Sequence, residues 1–134
     1  MPEIEITKLA LGKSATAIAV VNGGNTAKAV GSGSLDVFAT PMMIALMEQA
    51  ACKCLADCLG PGQTSVGTEI NISHSAASTI GVEVTAAATI DAVSGRRIEF
   101  AVKAVDSAGE IGKGRHIRVI VDAERFMDKA GHRK

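Results

Sequence analysis

Aromatic residues are almost absent from this sequence of 134 residues. There are three Phe and neither Trp nor Tyr, whereas hydrophobic residues make up 47% of the chain. The core must therefore be built from Ala, Val, Ile, Leu and Met, and such small side chains suit close packing of a helix on a sheet. The shortage of aromatic rings also removes the stacking surfaces that many nucleic-acid-binding proteins use.

A surplus of either charge is lacking too, because 14 basic residues balance 14 acidic ones. A nucleic-acid-binding protein needs excess positive charge to neutralise phosphates, so this class of partner is excluded. No apolar run approaches the length of a membrane span, and the N-terminus, MPEIEITK, lacks the basic and apolar regions of a signal peptide. We therefore expect a soluble cytoplasmic protein with one domain over residues 1–134 and no membrane partner.

Only three cysteines are present, and all fall in one predicted helix: Cys52, Cys54 and Cys58. Helical geometry does not favour a disulfide among them, and no further Cys or nearby His completes a zinc set. We expect buried free thiols in a reducing compartment. The sequence also lacks a Gly-x-Ser-x-Gly elbow, a glycine-rich phosphate loop, a metal-ligand cluster and a dinucleotide fingerprint.

The segment VFATPMMIALMEQAAC (residues 37–52) predicts the start of the only long helix. Thr40 is a good N-cap, because its hydroxyl can accept a hydrogen bond from the first turn, and Pro41 suits the first helical position. The helix is predicted to run from about Pro41 to about Leu59, where Gly60-Pro61-Gly62 ends it.

Glu48 is the one charged residue between Leu46 and Cys52 of this helix. A helix that is apolar on nearly every side is normally buried, and a carboxylate there is costly unless it is paired or used. The alternative is that Glu48 lies on an exposed stripe, as most helical Glu residues do. Its apolar neighbours weigh against that alternative: Ile44, Leu46, Met47, Ala50 and Ala51.

After the helix, the hydrophobic pattern changes to a period of two, which is typical of strands. Strands are predicted over residues 66–74, 82–91, 97–105 and 111–121, in addition to 14–21 and a short edge strand within 2–10. Residues 26–34 are predicted as a loop or weak strand, and a short helix begins at Ala123. Short connections indicate antiparallel hairpins.

These elements predict an α+β protein in which a five-stranded antiparallel sheet wraps around one long central helix. This architecture is the hotdog fold, whose edge strand commonly pairs with a second copy to give a continuous sheet. We therefore expect a homodimer, or a tetramer built from it.

His74 ends the first strand after the helix, and counting by twos from Val66 places it on the apolar face turned toward the helix. Its imidazole would then share a cleft with Glu48, or else it is a surface His at a polar strand end. Thr40 and Glu48 are roughly 12 Å apart along the helix axis, so direct contact within one chain is not expected. If they cooperate, either the substrate spans them or one of them comes from a partner subunit.

One face of the last long strand carries two glycines, a histidine and an arginine: Gly112, Gly114, His116 and Arg118. Basic residues on this strand and in an earlier turn are candidate phosphate contacts or ordinary solvated charges: Lys113, Arg115, Arg118, Arg96 and Arg97. Gly67 opens its strand, where the missing side chain lets a ligand approach the backbone.

Several segments resemble the hotdog thioesterases that are similar to fluoroacetyl-CoA thioesterase. They are VFATPMMIALMEQAAC (37–52), GPGQTSVGTEINISHSAAS (60–78), the turn Gly95-Arg96-Arg97, and EIGKGRHIRVIV (110–121) with Glu124-Arg125-Phe126 beyond it. Their spacing fits this family without large gaps over residues 37–126.

The resemblance implies hydrolysis of a small acyl-CoA to a carboxylate and free CoA, with no metal or redox cofactor. The catalytic threonine, glutamate and histidine of the family fall on Thr40, Glu48 and His74, and its substrate-lining glycine and arginine fall on Gly67 and Arg118. The fluoroacetyl-specific enzyme has a phenylalanine lid before the helix. Here residues 31–36 are small and polar, with Ser34 near the position of that ring, so selectivity for fluorine is not carried over.

Two alternative functions remain open from the sequence. A non-catalytic hotdog module would bind acyl-CoA without releasing thiol. A hotdog hydratase or dehydratase would use similar geometry, but it would usually show an Asp-x-x-x-x-His pair in a separate long motif, which this sequence lacks.

Overall fold

The computed structural model describes residues 9–133, in which five strands form one antiparallel sheet in the order β1-β3-β4-β5-β2. The elements are β1 (Ser14–Val20), α1 (Ala27–Val30), α2 (Thr40–Leu55), β2 (Gln63–His74), β3 (Glu83–Ser94), β4 (Arg97–Asp106), β5 (Gly109–Asp122) and α3 (Ala123–Gly131). This is the predicted α+β architecture. Of the strand predicted within residues 2–10, residues 2–8 lie outside the described part of the chain, and residues 9 and 10 are not in a strand.

The core lies between α2 and the sheet and consists almost entirely of aliphatic and sulfur-containing side chains. Small residues let helix and sheet approach closely, because alanines on both sides of the contact are fully buried: Ala50, Ala51, Ala86, Ala88 and Ala104. Met43, Met47 and Phe100 fill the larger gaps and are also fully buried. The aromatic-poor core that the composition predicts is therefore present.

The ends of the long helix differ from the prediction. Ala39 occupies the N-cap position without a side-chain cap, because Thr40 is already helical and its hydroxyl bonds elsewhere. The α-helix ends at Leu55 and continues as a 3-10 turn over Ala56–Cys58. Residues 26–34 contain the single-turn helix α1, whose first turn is capped by the Thr26 hydroxyl 3.1 Å from the Ala29 amide.

A β-bulge in β2 changes which of its side chains face the helix. Gly67 pairs with Arg118 and Glu69 pairs with Ile117, so Thr68 is the extra residue. The predicted alternation therefore assigns Val66, which precedes the bulge, to the wrong face of the sheet. His74 still faces the helix as predicted, because it pairs with Gly112, where an added Cβ would lie 2.7 Å from the Met43 side chain.

The three cysteines keep their thiols outside any disulfide, and only Cys54 and Cys58 are buried, whereas Cys52 is exposed, contrary to the prediction of buried thiols. Burial is the largest influence on both buried thiols and raises their pKa above the ordinary value of 9.0. None of the helices in residues 9–133 combines the length and apolar character that crossing a membrane would need.

Candidate active site

Thr40 and His74 form a hydrogen-bonded pair at the N-terminal end of α2. Thr40 Oγ1 lies 2.8 Å from His74 Nδ1, at the point where β2 ends beside the helix. Burial is the main influence on His74 and lowers its pKa below the ordinary 6.5, so the ring is neutral at pH 7. Its Nε2 is buried and meets no hydrogen-bond partner within the described part of the chain.

A cavity of about 260 Å³ opens beside this pair. Small and apolar side chains line most of it, together with Thr40 and His74: Ala27, Ser32, Val37, Phe38, Ser75, Ala76 and Ala77. The first turn of the helix offers few free amides here, because Pro41 has no N–H and the amides of Met42 and Met43 both donate to the Ala39 carbonyl. The Thr40 hydroxyl can donate to a bound carbonyl when His74 Nδ1 carries the hydrogen of the bond between them, because the hydroxyl hydrogen is then not used in that bond.

Glu48 lies about two helical turns further along α2, in a different cluster. Its Oε2 is 3.3 Å from Arg118 Nη1 and 3.9 Å from His116 Nε2. The side chain is 40% exposed, so solvent and small molecules reach the carboxylate. The lone carboxylate of the helix therefore does face an imidazole, but within this chain it is that of His116 and not the predicted His74.

Arg118 holds this carboxylate from a buried position in β5. Its Nε donates to Ser65 Oγ at 2.8 Å and its Nη2 donates to the Ser65 carbonyl at 3.0 Å. Only 6% of the residue is exposed. The guanidinium is thus bonded to Ser65 and Glu48 and is not a solvated surface charge, whereas its part in the substrate site stays a prediction.

The other basic residues of β5 point to the opposite face of the sheet. Arg115 there pairs with Glu99 and lies 3.1 Å from Asp91. Lys113 is exposed on the same outer face and lines a larger cavity of about 740 Å³, to which none of the candidate catalytic residues belongs.

Gly67 leaves the space that the carboxylate cluster occupies. A Cβ at this position would lie 2.8 Å from Glu48 Oε2, 3.1 Å from His116 Cε1 and 3.2 Å from Arg118 Nη1. That a ligand approaches the backbone at Gly67 stays a prediction. The close groups, however, are the protein's own charged side chains.

The described chain thus brings the candidate residues together in two separate groups. Thr40 and His74 form the first, and Glu48, Gly67 and Arg118 form the second, roughly 12 Å away along α2. His116 belongs to the second group, although the only prediction for it was that it shares a face with Arg118. Among residues 9–133, no three His, Cys, Asp or Glu side chains are grouped to hold a metal ion.

Residues 21–124 match the family described as fluoroacetyl-CoA-specific thioesterase. A curated fluoroacetyl-CoA thioesterase from Streptantibioticus cattleyicolor is 43% identical over 94 residues, which are 70% of this chain and 68% of that protein.

Solved structures of thioesterases share the fold. FlK, a fluoroacetyl-CoA thioesterase, is 34% identical with a TM-score of 0.87, over 93% of this chain and 97% of that one. An FlK mutant in complex with fluoroacetate and CoA gives a TM-score of 0.83 at 36% identity, over 87% of this chain and 98% of that one. A Thermus thermophilus hypothetical protein of the thioesterase superfamily is 26% identical with a TM-score of 0.85, over 92% and 91%.

These matches confirm the predicted resemblance, the hotdog fold and the reaction class. The family match covers most of the chain, and the aligned structures cover almost all of it. The chain is a thioester hydrolase of the hotdog fold and belongs to the family of fluoroacetyl-CoA-specific thioesterases.

Proposed function

We propose that this protein hydrolyses small acyl-CoA thioesters, with Thr40, Glu48 and His74 as its catalytic residues and with Gly67 and Arg118 lining the substrate site. The observation that carries the proposal is Glu48, a partly exposed carboxylate on an otherwise apolar helix, held by the buried guanidinium of Arg118. The FlK complex with fluoroacetate and CoA supports a CoA ester as the substrate class.

The proposed reaction needs three tasks from these residues. The thioester carbonyl binds near Thr40, where the hydroxyl and the helix N-terminus favour the developing oxyanion. Glu48 either attacks the carbonyl carbon or takes a proton from the water that does. His74, neutral at the start, accepts the proton that Glu48 took from the water and passes one to the departing CoA thiolate, so that a carboxylate and a free thiol are released and both side chains regain their starting charge. Where Glu48 itself attacks, the thiolate leaves first, and water then hydrolyses the anhydride between Glu48 and the acyl group. CoA enters as part of the substrate, and the proposal includes no further cofactor.

A homodimer would bring the two groups of residues together. β2 has a pairing partner on one side only within the described sheet, so its other edge can add a second copy. Antiparallel pairing of two β2 strands about Asn71 would set Ile70 opposite the partner's Ile72, and the bulge would then bring the partner's Gly67 opposite His74. Side chains opposite each other in such a pair share a face, so Thr40 and His74 would approach Glu48 of the partner subunit. The buried Nε2 of His74 would gain polar neighbours there.

Mixed dimers test this shared site. The Glu48→Gln and His74→Ala variants, each inactive alone, are co-expressed with different tags. Dimers that carry both tags are then purified, and their thiol-releasing activity is compared with that of the unfractionated mixture. In a dimer with shared sites, each hybrid has one intact site, so random assortment restores about a quarter of the wild-type activity to the mixture. If the hybrid dimers are shown to form and the mixture still has no activity, the complete site must lie within one chain, and the shared arrangement is rejected.

A small acyl group fits the cavity beside Thr40 and His74. Its volume of about 260 Å³ suits an acetyl-sized or somewhat larger chain, and small residues line it. Ser32 belongs to this lining, whereas the exposed Ser34, near the expected lid position, does not. We therefore propose that fluoroacetyl-CoA holds no large advantage over acetyl-CoA.

A panel of acyl-CoA esters tests the function directly. The protein is incubated with acetyl-, fluoroacetyl-, propionyl-, butyryl- and decanoyl-CoA, and free thiol is followed with a chromogenic reagent. We expect thiol release to be fastest with the short chains, because the cavity is small. Tight binding without thiol release would indicate a binding module, and a change in the acyl chain without thiol release would indicate a hydratase or dehydratase.

The compartment, the domain count and the assembly are also proposals. Three cysteines without a disulfide fit the reducing cytoplasm. The described residues share one core, which supports a single domain over residues 1–134. A dimer is required to bring the two groups of residues together, so that each group is one half-site of a complete active site. A tetramer would add contacts on other faces.

A further inference from the structure

His116 touches both partners of the carboxylate cluster but has no task in the proposed reaction. The residue is 1% exposed, and its ring stacks on Phe100 with centroids 6.3 Å apart. Its Nδ1 lies 2.8 Å from the Glu69 carbonyl oxygen, and its Nε2 lies 3.2 Å from Arg118 Nη1. Three elements other than its own strand therefore face the ring: β2, β4 and α2.

The two neighbours of the ring determine its protonation. A carbonyl oxygen can only accept, so His116 Nδ1 carries the hydrogen and donates it to Glu69. A guanidinium can only donate, so Nε2 must be the unprotonated acceptor from Arg118. The ring is thus neutral in one fixed tautomer. An imidazolium would direct a second donor at Arg118 and would place two positive charges side by side.

The charges around the ring agree with this assignment. Burial is the main influence that lowers the pKa of His116, and the positive charge of Arg118 lowers it further. The Glu69 carbonyl and the Glu48 carboxylate act in the opposite direction. The element on the remaining side, β4, contributes the uncharged ring of Phe100.

The planar guanidinium of Arg118 is hydrogen-bonded along two of its edges. Ser65 accepts from Nε and Nη2 on one side. Nη1 has two hydrogens, and its two acceptors are His116 Nε2 at 3.2 Å and Glu48 Oε2 at 3.3 Å. One Nη1 hydrogen points to His116 and the other points to Glu48. By accepting the first hydrogen, His116 holds the orientation of the planar guanidinium, and this orientation sets the direction of the hydrogen that meets the carboxylate.

We infer that His116 is a positioning residue that orients Arg118 and, through it, the Glu48 carboxylate. The inference rests on the proposed function, because Glu48 must be the reacting group for its placement to matter. The bulge at Thr68 takes part as well. It resets the register of β2 so that the Glu69 carbonyl meets the ring while Gly67 keeps the space beside it open. A misplacement of a reacting group by about 1 Å can cost on the order of 100-fold in rate.

Two amide substitutions separate the two hydrogen bonds of the ring. His116→Gln places its amide near the position of Nε2, where it can still accept from Arg118. His116→Asn places its amide near Nδ1, where it can donate to Glu69 but cannot reach Arg118. Both variants remove the ring and its stacking on Phe100, so they are matched controls for each other in stability.

We expect His116→Asn to lower kcat for thiol release by about 10- to 100-fold with little change in KM, because only the placement of Glu48 is lost. His116→Gln should recover most of that kcat. Equal kcat in the two variants, whether both near wild type or both reduced in proportion to their thermal unfolding midpoints, would overturn the inference. If wild-type protein itself releases no thiol from any ester of the panel, the proposed function fails instead.

Discussion

Replacing Glu48 by Gln is expected to lower kcat for thiol release by about 1,000-fold or more while the fold stays intact. Gln has nearly the same size, and its amide oxygen can still accept from Arg118 Nη1. The change therefore removes the nucleophile or base and little else. The fold should stay intact, because the Gln amide oxygen keeps a hydrogen-bond acceptor for the buried Arg118 guanidinium, which also retains its bonds to Ser65. Steady-state kinetics on the best ester of the panel, with circular dichroism of the variant, measures both results.

Glu83→Gln is the matched control, since Glu83 is an exposed carboxylate at the start of β3, far from α2 in sequence. It should keep wild-type kinetics. A Glu48→Gln variant that turns over within tenfold of wild type would show that this carboxylate neither attacks the thioester nor activates water.

The fold was largely predictable from the sequence because its two periodicities persist over long stretches, even though single-residue register shifts also occur in β3 after Ile90 and in β5 at Ile111. The apolar run of α2 and the alternation in β3, β4 and β5 each follow from local burial, and short turns determine the antiparallel pairing. The prediction failed where one residue interrupts a period. Thr68 is inserted in β2 directly after Gly67, but that glycine was interpreted as an opening for a ligand and not as a bulge, so the face assigned to Val66 was wrong.

The individual site residues could be named from the sequence, but their partners could not. Glu48 stands out because a charge on an apolar helix needs an explanation, and Gly67 stands out as a gap in a strand. That Glu48 meets Arg118 and His116 depends on the register between β2 and β5, which is a contact across about 50 residues of chain. Thr40 shows the same limit, since its hydroxyl could cap the helix or bond His74, and only the tertiary structure decides.

Replacing His74 by Ala is expected to lower kcat by about 100- to 10,000-fold, because the CoA thiolate loses its proton donor and Thr40 loses its hydrogen-bond partner. The pH dependence gives a second, independent result. The pKa of His74 is lowered from 6.5 by burial, so the neutral ring is present above pH 6.5 and is lost only as the pH falls below it. Its contribution to kcat should decline on that acid side, and the residual activity of His74→Ala should lack this decline.

His132→Ala is the control for that substitution, since His132 is an exposed histidine at the end of α3 and belongs to neither half-site. It should leave both kcat and the pH profile unchanged. If His74→Ala kept the wild-type rate, the Thr40–His74 pair would serve only to join β2 to the start of α2, and a shared dimer site would no longer be required. If it lost activity but kept the acid decline, another group would be the one that titrates. The rate and the profile together therefore decide whether His74 moves the proton or only supports the residues around it.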